Sequence, residues 1–231
     1  MRTSQPVDDV APAGSRAWLA SRIDHTILHP DASTVAVRQT VTDAVGFGCA
    51  SVCVQPVMVP VAHEVAAGHI AVCSVVAFPH GSTLSEVKAA EAAAAVAQGA
   101  SEIDMVAELS SITDGDDAAL TADVARVRAA VPNVVLKVIL ESALWSPAQL
   151  RLACAAAVAG GADFVKTSTG FHGAGGATVE AVETMLEAVG RSALVKASGG
   201  IRDLATARAM LDAGATRLGM SATAAVLDEL G

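Results

Sequence analysis

Tyrosine is absent from this chain of 231 residues, and aromatic side chains make up only 3% of it. Surfaces that stack bases or cap apolar sugar faces are built from aromatic rings, so recognition of that kind is not expected here. Charge is scarce at 17% of residues and leans acidic: 15 Lys and Arg stand against 24 Asp and Glu, a formal net charge of -9. That balance argues against nucleic acid or an anionic membrane as a partner. The four cysteines, Cys49, Cys53, Cys73 and Cys154, make no C-x-x-C pair and no disulfide framework, and read as buried free thiols. His25 and His29 are four apart, but they fall in a strand-like segment with no Glu where a zinc-binding helix requires one, so no metal is expected.

Apolar side chains are abundant, at 52% of residues with a mean hydropathy of +0.49, which excludes a disordered or fibrous chain. The longest stretch free of charge and His, Ala44 to Ala62, is nominally long enough to span a bilayer. It contains Gly46, Gly48, Ser51, Gln55, Pro56 and Pro60, which divide it into a helix end, a short strand and a new helix start. No transmembrane segment is read there. Residues 1–15, with Pro6, Asp8, Asp9, Pro12 and Gly14, lack the basic start and apolar run of a signal peptide. They read as a flexible arm, and a cytoplasmic location is expected.

Apolar strand-like runs alternate with Ala-rich, helix-periodic segments along nearly the whole length. Eight strands are expected: Ile23 to Leu28, Ser51 to Gln55, Ile70 to Ala77, Glu102 to Ala107, Val134 to Leu140, Phe164 to Ser168, Leu194 to Ser198 and Arg217 to Met220. Helices are expected near 33–46, 57–67, 84–98, 116–130, 147–159, 177–189, 203–213 and 222–230. Ser33 and Ser146-Pro147 open helices, whereas Gly48, Gly68, Gly99, Gly160-Gly161, Gly190 and Gly214 end them. Strict alternation implies parallel strands joined by right-handed crossovers, and eight units in this length point to a single (β/α)8 TIM barrel over residues 16–231. A doubly wound open sheet is the runner-up; no G-x-G-x-x-G follows an early strand to support it.

Lysine is the informative residue. Only Lys88, Lys137, Lys166 and Lys196 occur, the other eleven cations being Arg, and three of the four lie inside apolar strands. Arg is permanently charged, whereas a desolvated or crowded Lys can lose its proton and become a nucleophile. Strand alternation puts Lys137, Lys166, Lys196 and Asp104 on the inner face of the barrel, with neighbouring strands about 4.8 Å apart. They can therefore share one pocket, where a second ammonium depresses the first and a carboxylate passes a proton. A buried ion-pair network is the alternative, and three cations to one visible acid fit it poorly. Ser168-Thr169-Gly170, Ser198-Gly199-Gly200 and Gly219-Met220-Ser221 follow the last three strands, where a (β/α)8 barrel offers backbone N–H groups to a phosphate.

The phrases Phe164-Val165-Lys166-Thr167-Ser168-Thr169-Gly170 and Val195-Lys196-Ala197-Ser198-Gly199-Gly200-Ile201-Arg202 resemble signature segments of the deoxyribose-phosphate aldolases. So do Glu102-Ile103-Asp104-Met105-Val106 and Leu136-Lys137-Val138-Ile139-Leu140-Glu141, with further similarity in Ile23-Asp24-His25-Thr26, Val52-Cys53-Val54-Gln55-Pro56 and Phe78-Pro79-His80-Gly81. The resemblance implies a class I aldolase, free of metal and cofactor, that reversibly splits 2-deoxy-D-ribose 5-phosphate into D-glyceraldehyde 3-phosphate and acetaldehyde. It implies Lys166 as the Schiff-base lysine, Lys196 and Asp104 as the proton-transfer pair, and Lys137 as their electrostatic support. Thr169, Gly170, Gly199, Gly200, Gly219 and Ser221 fall at or beside phosphate positions, and Asp24 and Thr26 at positions near the substrate hydroxyls. Cys53, on an inward face, is a candidate target of reactive aldehyde products. The implied assembly is a homo-oligomer, a dimer or larger.

The chain departs from some members in having Phe171 where they carry Lys, Ala222 where they carry Ser, and no Tyr. Two other functions stay open at this point: a Schiff-base aldolase for a related phosphorylated sugar, and a barrel that binds a sugar phosphate without turning it over.

Overall fold

Short runs of Val and Ile, each closed off by Gly or a polar turn, form the strands of a computed structural model that describes residues 11–231. The strands are β1 (Ile23–Ile27), β2 (Ser51–Val54), β3 (Ala71–Val76), β4 (Glu102–Val106), β5 (Val135–Ile139), β6 (Phe164–Lys166), β7 (Leu194–Ser198) and β8 (Arg217–Met220). Every neighbouring pair is parallel, and β8 pairs back onto β1, so the sheet closes into a barrel in chain order. The α-helices are α1 (Arg16–Ala20), α2 (Thr34–Phe47), α3 (Val59–Ala66), α4 (Ser85–Ala97) and α5 (Leu109–Asp114). They continue with α6 (Asp117–Ala130), α7 (Pro147–Ala159), α8 (Val179–Val189), α9 (Leu204–Asp212) and α10 (Thr223–Asp228). The expected (β/α)8 barrel is the architecture found.

Helix ends follow the local chemistry. Ser33 Oγ accepts from Ala36 N, and Ser146 closes a capping box with Gln149. Gly48 ends α2 in the left-handed conformation. The short helices α1 and α5 were not expected. α1 begins at Ser15, whose hydroxyl accepts from Trp18 N, and Arg16 donates to the Leu227 carbonyl at 2.6 Å, so α1 packs beside α10. The greater part of the expected arm, residues 1–10, lies outside the described residues.

The main core lies between the sheet and the helices, where Val165, Val195, Leu136, Ile103, Leu120 and Met185 are fully buried. Each such side chain contributes roughly 1.5–3 kcal/mol on removal from water. Small Ala residues at Ala62, Ala92, Ala153 and Ala207 let the helices approach the strands closely. Lys88 is also buried here, donating from α4 to Asp123 at 2.7 Å and to the Val106 carbonyl at 3.1 Å. That pair ties α4 and α6 to the end of β4.

β6 ends at Lys166, earlier than expected, and Thr167 beyond it stays tied to β7 by both backbone and side chain. Its Oγ1 donates to the Ser198 carbonyl at 3.1 Å and accepts from Ser198 N at 3.0 Å, in addition to a backbone bond from its own N–H to the Lys196 carbonyl at 3.0 Å. From there the chain runs into the loop that precedes α8 at the carboxyl end of the barrel.

Candidate active site

Parallel register aligns the inner-face residues. Asp104 pairs with Lys137, Lys166 with Lys196, and Cys53 with Cys73. Closure of the barrel then brings the four expected catalytic side chains onto one carboxylate. Asp104 Oδ2 accepts from Lys166 at 2.6 Å and from Lys196 at 2.7 Å, while Oδ1 accepts from Lys137 at 2.8 Å and from the Cys73 thiol at 3.1 Å. Lys137 and Lys196 are wholly buried and Lys166, nearest the mouth, is 3% exposed.

The charge count differs from the sequence reading. Lys137 also donates to Glu102 at 2.6 Å; Lys196 also bonds Asp24, whose other oxygen accepts from Arg217 at 2.6 Å. Four cations therefore face three acids, Asp24, Glu102 and Asp104, and the large positive surplus inferred from sequence disappears. Arg217 and Glu102 were missed, although each sits two residues before a candidate site residue, Gly219 and Asp104. Burial alone raises a carboxyl, yet Lys137, Lys166 and Lys196 outweigh it and hold Asp104 well below the usual carboxylate range. Asp24 is likewise depressed against its burial, by Arg217, Lys196 and Lys137. Burial lowers Lys137 and Lys196, but Asp104 and its neighbouring acids prevail and raise both.

Asp24 is fully buried, with one oxygen bonded to Lys196 and the other to Arg217, so it stands as a counter-ion of Lys196. Thr26 Oγ1 donates to the Asp24 carbonyl at 2.8 Å. The Thr169 hydroxyl donates to Glu141 at 2.7 Å and accepts from Phe171 N at 3.0 Å, so it braces its own loop. Glu141, unnoticed as a site residue, is buried in a left-handed conformation (φ 52°, ψ 56°).

Gly170, Gly199 and Gly200 all have positive φ, near 80–85°, and with Ser221 they form a rim on the carboxyl side of the barrel that is open to solvent in varying degree. A side chain at Gly176 would place its Cβ 2.2 Å from the Gly199 carbonyl, so the two loops touch only because glycine stands there. Gly219 lies lower, on the inner face of β8, where an added Cβ would come 3.1 Å from Cε of Lys196. Ser168 Oγ is buried with no hydrogen-bond partner among the described residues. Beside the mouth a cavity of about 530 Å³ is lined by Leu28, Val57, Met58, Phe78 and Phe171 among others. Phe171 packs edge-on to Phe78, with ring centroids 5.1 Å apart.

All four cysteines are buried and free. Burial pushes Cys49 and Cys154 up to about 12. Cys53, Cys73 and Asp104 are the one group of three metal-ligating side chains found among the described residues. Both oxygens of Asp104 already hold ammonium groups, an arrangement for moving protons rather than for a resident hard cation. No helix among the described residues is long and apolar enough to cross a membrane.

Known proteins share this arrangement of sequence and fold. A model of the DeoC/LacD family of aldolases matches residues 19–227. The chain is 55% identical over 221 residues to a deoxyribose-phosphate aldolase of Mycobacterium avium, covering 94% of this chain and 99% of that one. It is 54% identical over 220 residues to a protein of the same name from Mycobacterium tuberculosis, covering 94% and 97%. Among solved structures, a deoxyribose phosphate aldolase from Aeropyrum pernix, described as tetrameric, superposes with a TM-score of 0.87 at 36% identity, covering 94% of this chain and 92% of that one. With a family model spanning nearly the whole barrel and relatives above half identity, the chain belongs to the DeoC/LacD aldolase family and is an aldolase, a carbon–carbon lyase.

Proposed function

We propose that the enzyme reversibly cleaves 2-deoxy-D-ribose 5-phosphate to D-glyceraldehyde 3-phosphate and acetaldehyde through a Schiff base on Lys166. The observation that carries this reading is the meeting of Lys166 and Lys196 on the same oxygen of Asp104. Relatives named deoxyribose-phosphate aldolase over nearly the whole chain support the substrate.

In this mechanism Lys166 passes a proton by way of the Asp104 carboxylate to water, and the neutral amine adds to the substrate aldehyde carbon. Lys196 protonates the carbinolamine hydroxyl, which leaves as water and yields an iminium. Lys196, now neutral, takes the proton from the hydroxyl on the third carbon, and the bond between the second and third carbons breaks. The electron pair enters the iminium, giving an enamine, and glyceraldehyde 3-phosphate departs. Lys196 gives that proton to the enamine carbon, and water adds to the iminium so formed, which releases acetaldehyde and frees Lys166. Lys137, held between Glu102 and Asp104 Oδ1, keeps the carboxylate oriented. Gly170, Gly199, Gly200 and Ser221 receive the phosphate through backbone N–H groups and the serine hydroxyl.

A coupled assay for both products tests the substrate. Turnover of 2-deoxyribose 5-phosphate well above that of other phosphorylated sugars is expected; preference for a different sugar phosphate would overturn it. A homo-oligomer is proposed by analogy with the tetrameric Aeropyrum pernix protein.

A further inference from the structure

Two thiols inside the barrel have no part in the proposed reaction. Cys53 and Cys73 stand directly opposite each other on adjacent parallel strands, and both side chains point into the lumen. With Asp104 they place two sulfurs and one carboxylate oxygen within 4.8 Å of one another, all three residues buried. Zinc-type ions bind thiolate sulfur at about 2.3 Å, and soft sulfur ligands select such ions over hard cations. The remaining thiols, Cys49 and Cys154, belong to the separate core between sheet and helices.

We infer that Cys53 and Cys73, with Asp104 Oδ1 as third ligand, form a binding site for a thiophilic divalent cation such as Zn2+ or Cd2+, and that its occupation inhibits the enzyme. The lysines do not forbid this. Binding replaces two thiol protons by one divalent ion, so the charge of the pocket is unchanged: the cation enters, two S–H bonds break, two metal–sulfur bonds form and two protons leave. The cavity beside the mouth is the nearest opening, since Leu28 and Phe78 of its wall belong to the same apolar cluster as Cys53 and Cys73. Inhibition follows because the metal takes the Asp104 oxygen that now accepts from Lys137 and from the Cys73 thiol. That consequence rests on the proposed role of Asp104; the binding itself does not.

The test titrates CdCl2 into the whole protein without substrate, following the ultraviolet thiolate-to-cadmium charge-transfer band and the protons released. One Cd2+ per chain, two protons per metal and a band retained in Cys49→Ser and Cys154→Ser are expected. The band is expected to vanish in Cys53→Ala and in Cys73→Ser, the latter keeping a hydroxyl donor toward Asp104. Binding that survives both variants, depends on Cys49 or Cys154, or releases no protons overturns the site. The proton count is read on the wild-type chain and stands whether or not a variant folds. Activity is then assayed at one equivalent of Cd2+: its loss, restored by a chelator, is expected, and full activity of the loaded protein overturns inhibition while leaving the aldolase reading intact.

Discussion

Lys196 is the residue on which both halves of the site depend, since it bonds Asp104 on one side and Asp24 on the other. Lys196→Leu removes the cation but leaves two buried carboxylates facing it. Steady-state kinetics are expected to show kcat reduced by about 10²–10⁴-fold, the range typical of a lost general acid. Chemical denaturation is expected to show destabilisation of about 3–5 kcal/mol from the uncompensated charge. Gly219 acts at the same scale by having no side chain. An alanine there would crowd Ser198 Cβ at 3.0 Å and Lys196 Cε at 3.1 Å. Displacement of the ammonium by even a fraction of an ångström is expected to lower kcat by up to about 10²-fold in Gly219→Ala. A variant with unaltered kcat would show that the amine has room to spare. The lysines were legible in the sequence because ammonium groups in Val and Leu runs are conspicuous. Arg217 and Glu102 were not singled out, because their partners are far away in sequence and meet only when the barrel closes.

At the scale of elements, the loop after β6 is held by a residue from the loop after β5. Left-handed backbone costs a residue other than glycine roughly 1–3 kcal/mol, and Glu141 stays there with its carboxylate on both the N–H and the hydroxyl of Thr169. Thr169 in turn receives Phe171 N, and Phe171 packs against Phe78 across the mouth. Glu141→Gln weakens a charged hydrogen bond worth about 1.5–3 kcal/mol. If the glycine rim receives the phosphate as proposed, Glu141 positions that rim without touching the reacting atoms, and KM is expected to rise while kcat changes little. A fall in kcat alone, with KM unchanged, would give Glu141 a different role. The order of strands and helices was readable from periodicity and glycine punctuation. α1 and α5 were not, having five and six residues and too few turns to show a period. The early end of β6 was hidden as well: Thr167 goes on bonding β7 through its N–H and its side chain, and nothing local in the sequence marks the break.

At the scale of the whole molecule, the buried groups set the pH range of stability. Asp24 and Asp104 are held below their ordinary value of 3.8, so their contribution is present above that pH and is lost as pH falls through the folded values. Burial lowers His25 from 6.5, against Asp43 and a backbone bond, so unfolding begins to take up a proton just below that pH. Cys49 and Cys154 are raised from 9.0 to about 12, so above 9.0 the unfolded thiols ionise first and stability declines; Lys137 and Lys196, raised from 10.5, add to that decline. Calorimetry is expected to show a plateau of Tm between about pH 6.5 and 9.0, with losses on both sides. A Tm still rising below pH 6.5 would contradict these directions. The closed barrel itself was legible from eight strand–helix alternations, whereas the near balance of charge inside it appears only when Glu102, Asp24 and Arg217 are brought together.

The central claim is that Lys166 forms a covalent imine with the substrate. Incubation with 2-deoxyribose 5-phosphate and sodium borohydride, followed by intact-mass spectrometry and peptide mapping, tests it directly. The account predicts a reduced two-carbon or sugar adduct on the peptide containing Lys166, absent from Lys166→Ala. An unmodified Lys166 in folded protein that still binds the sugar phosphate, or an adduct confined to another lysine, would contradict it.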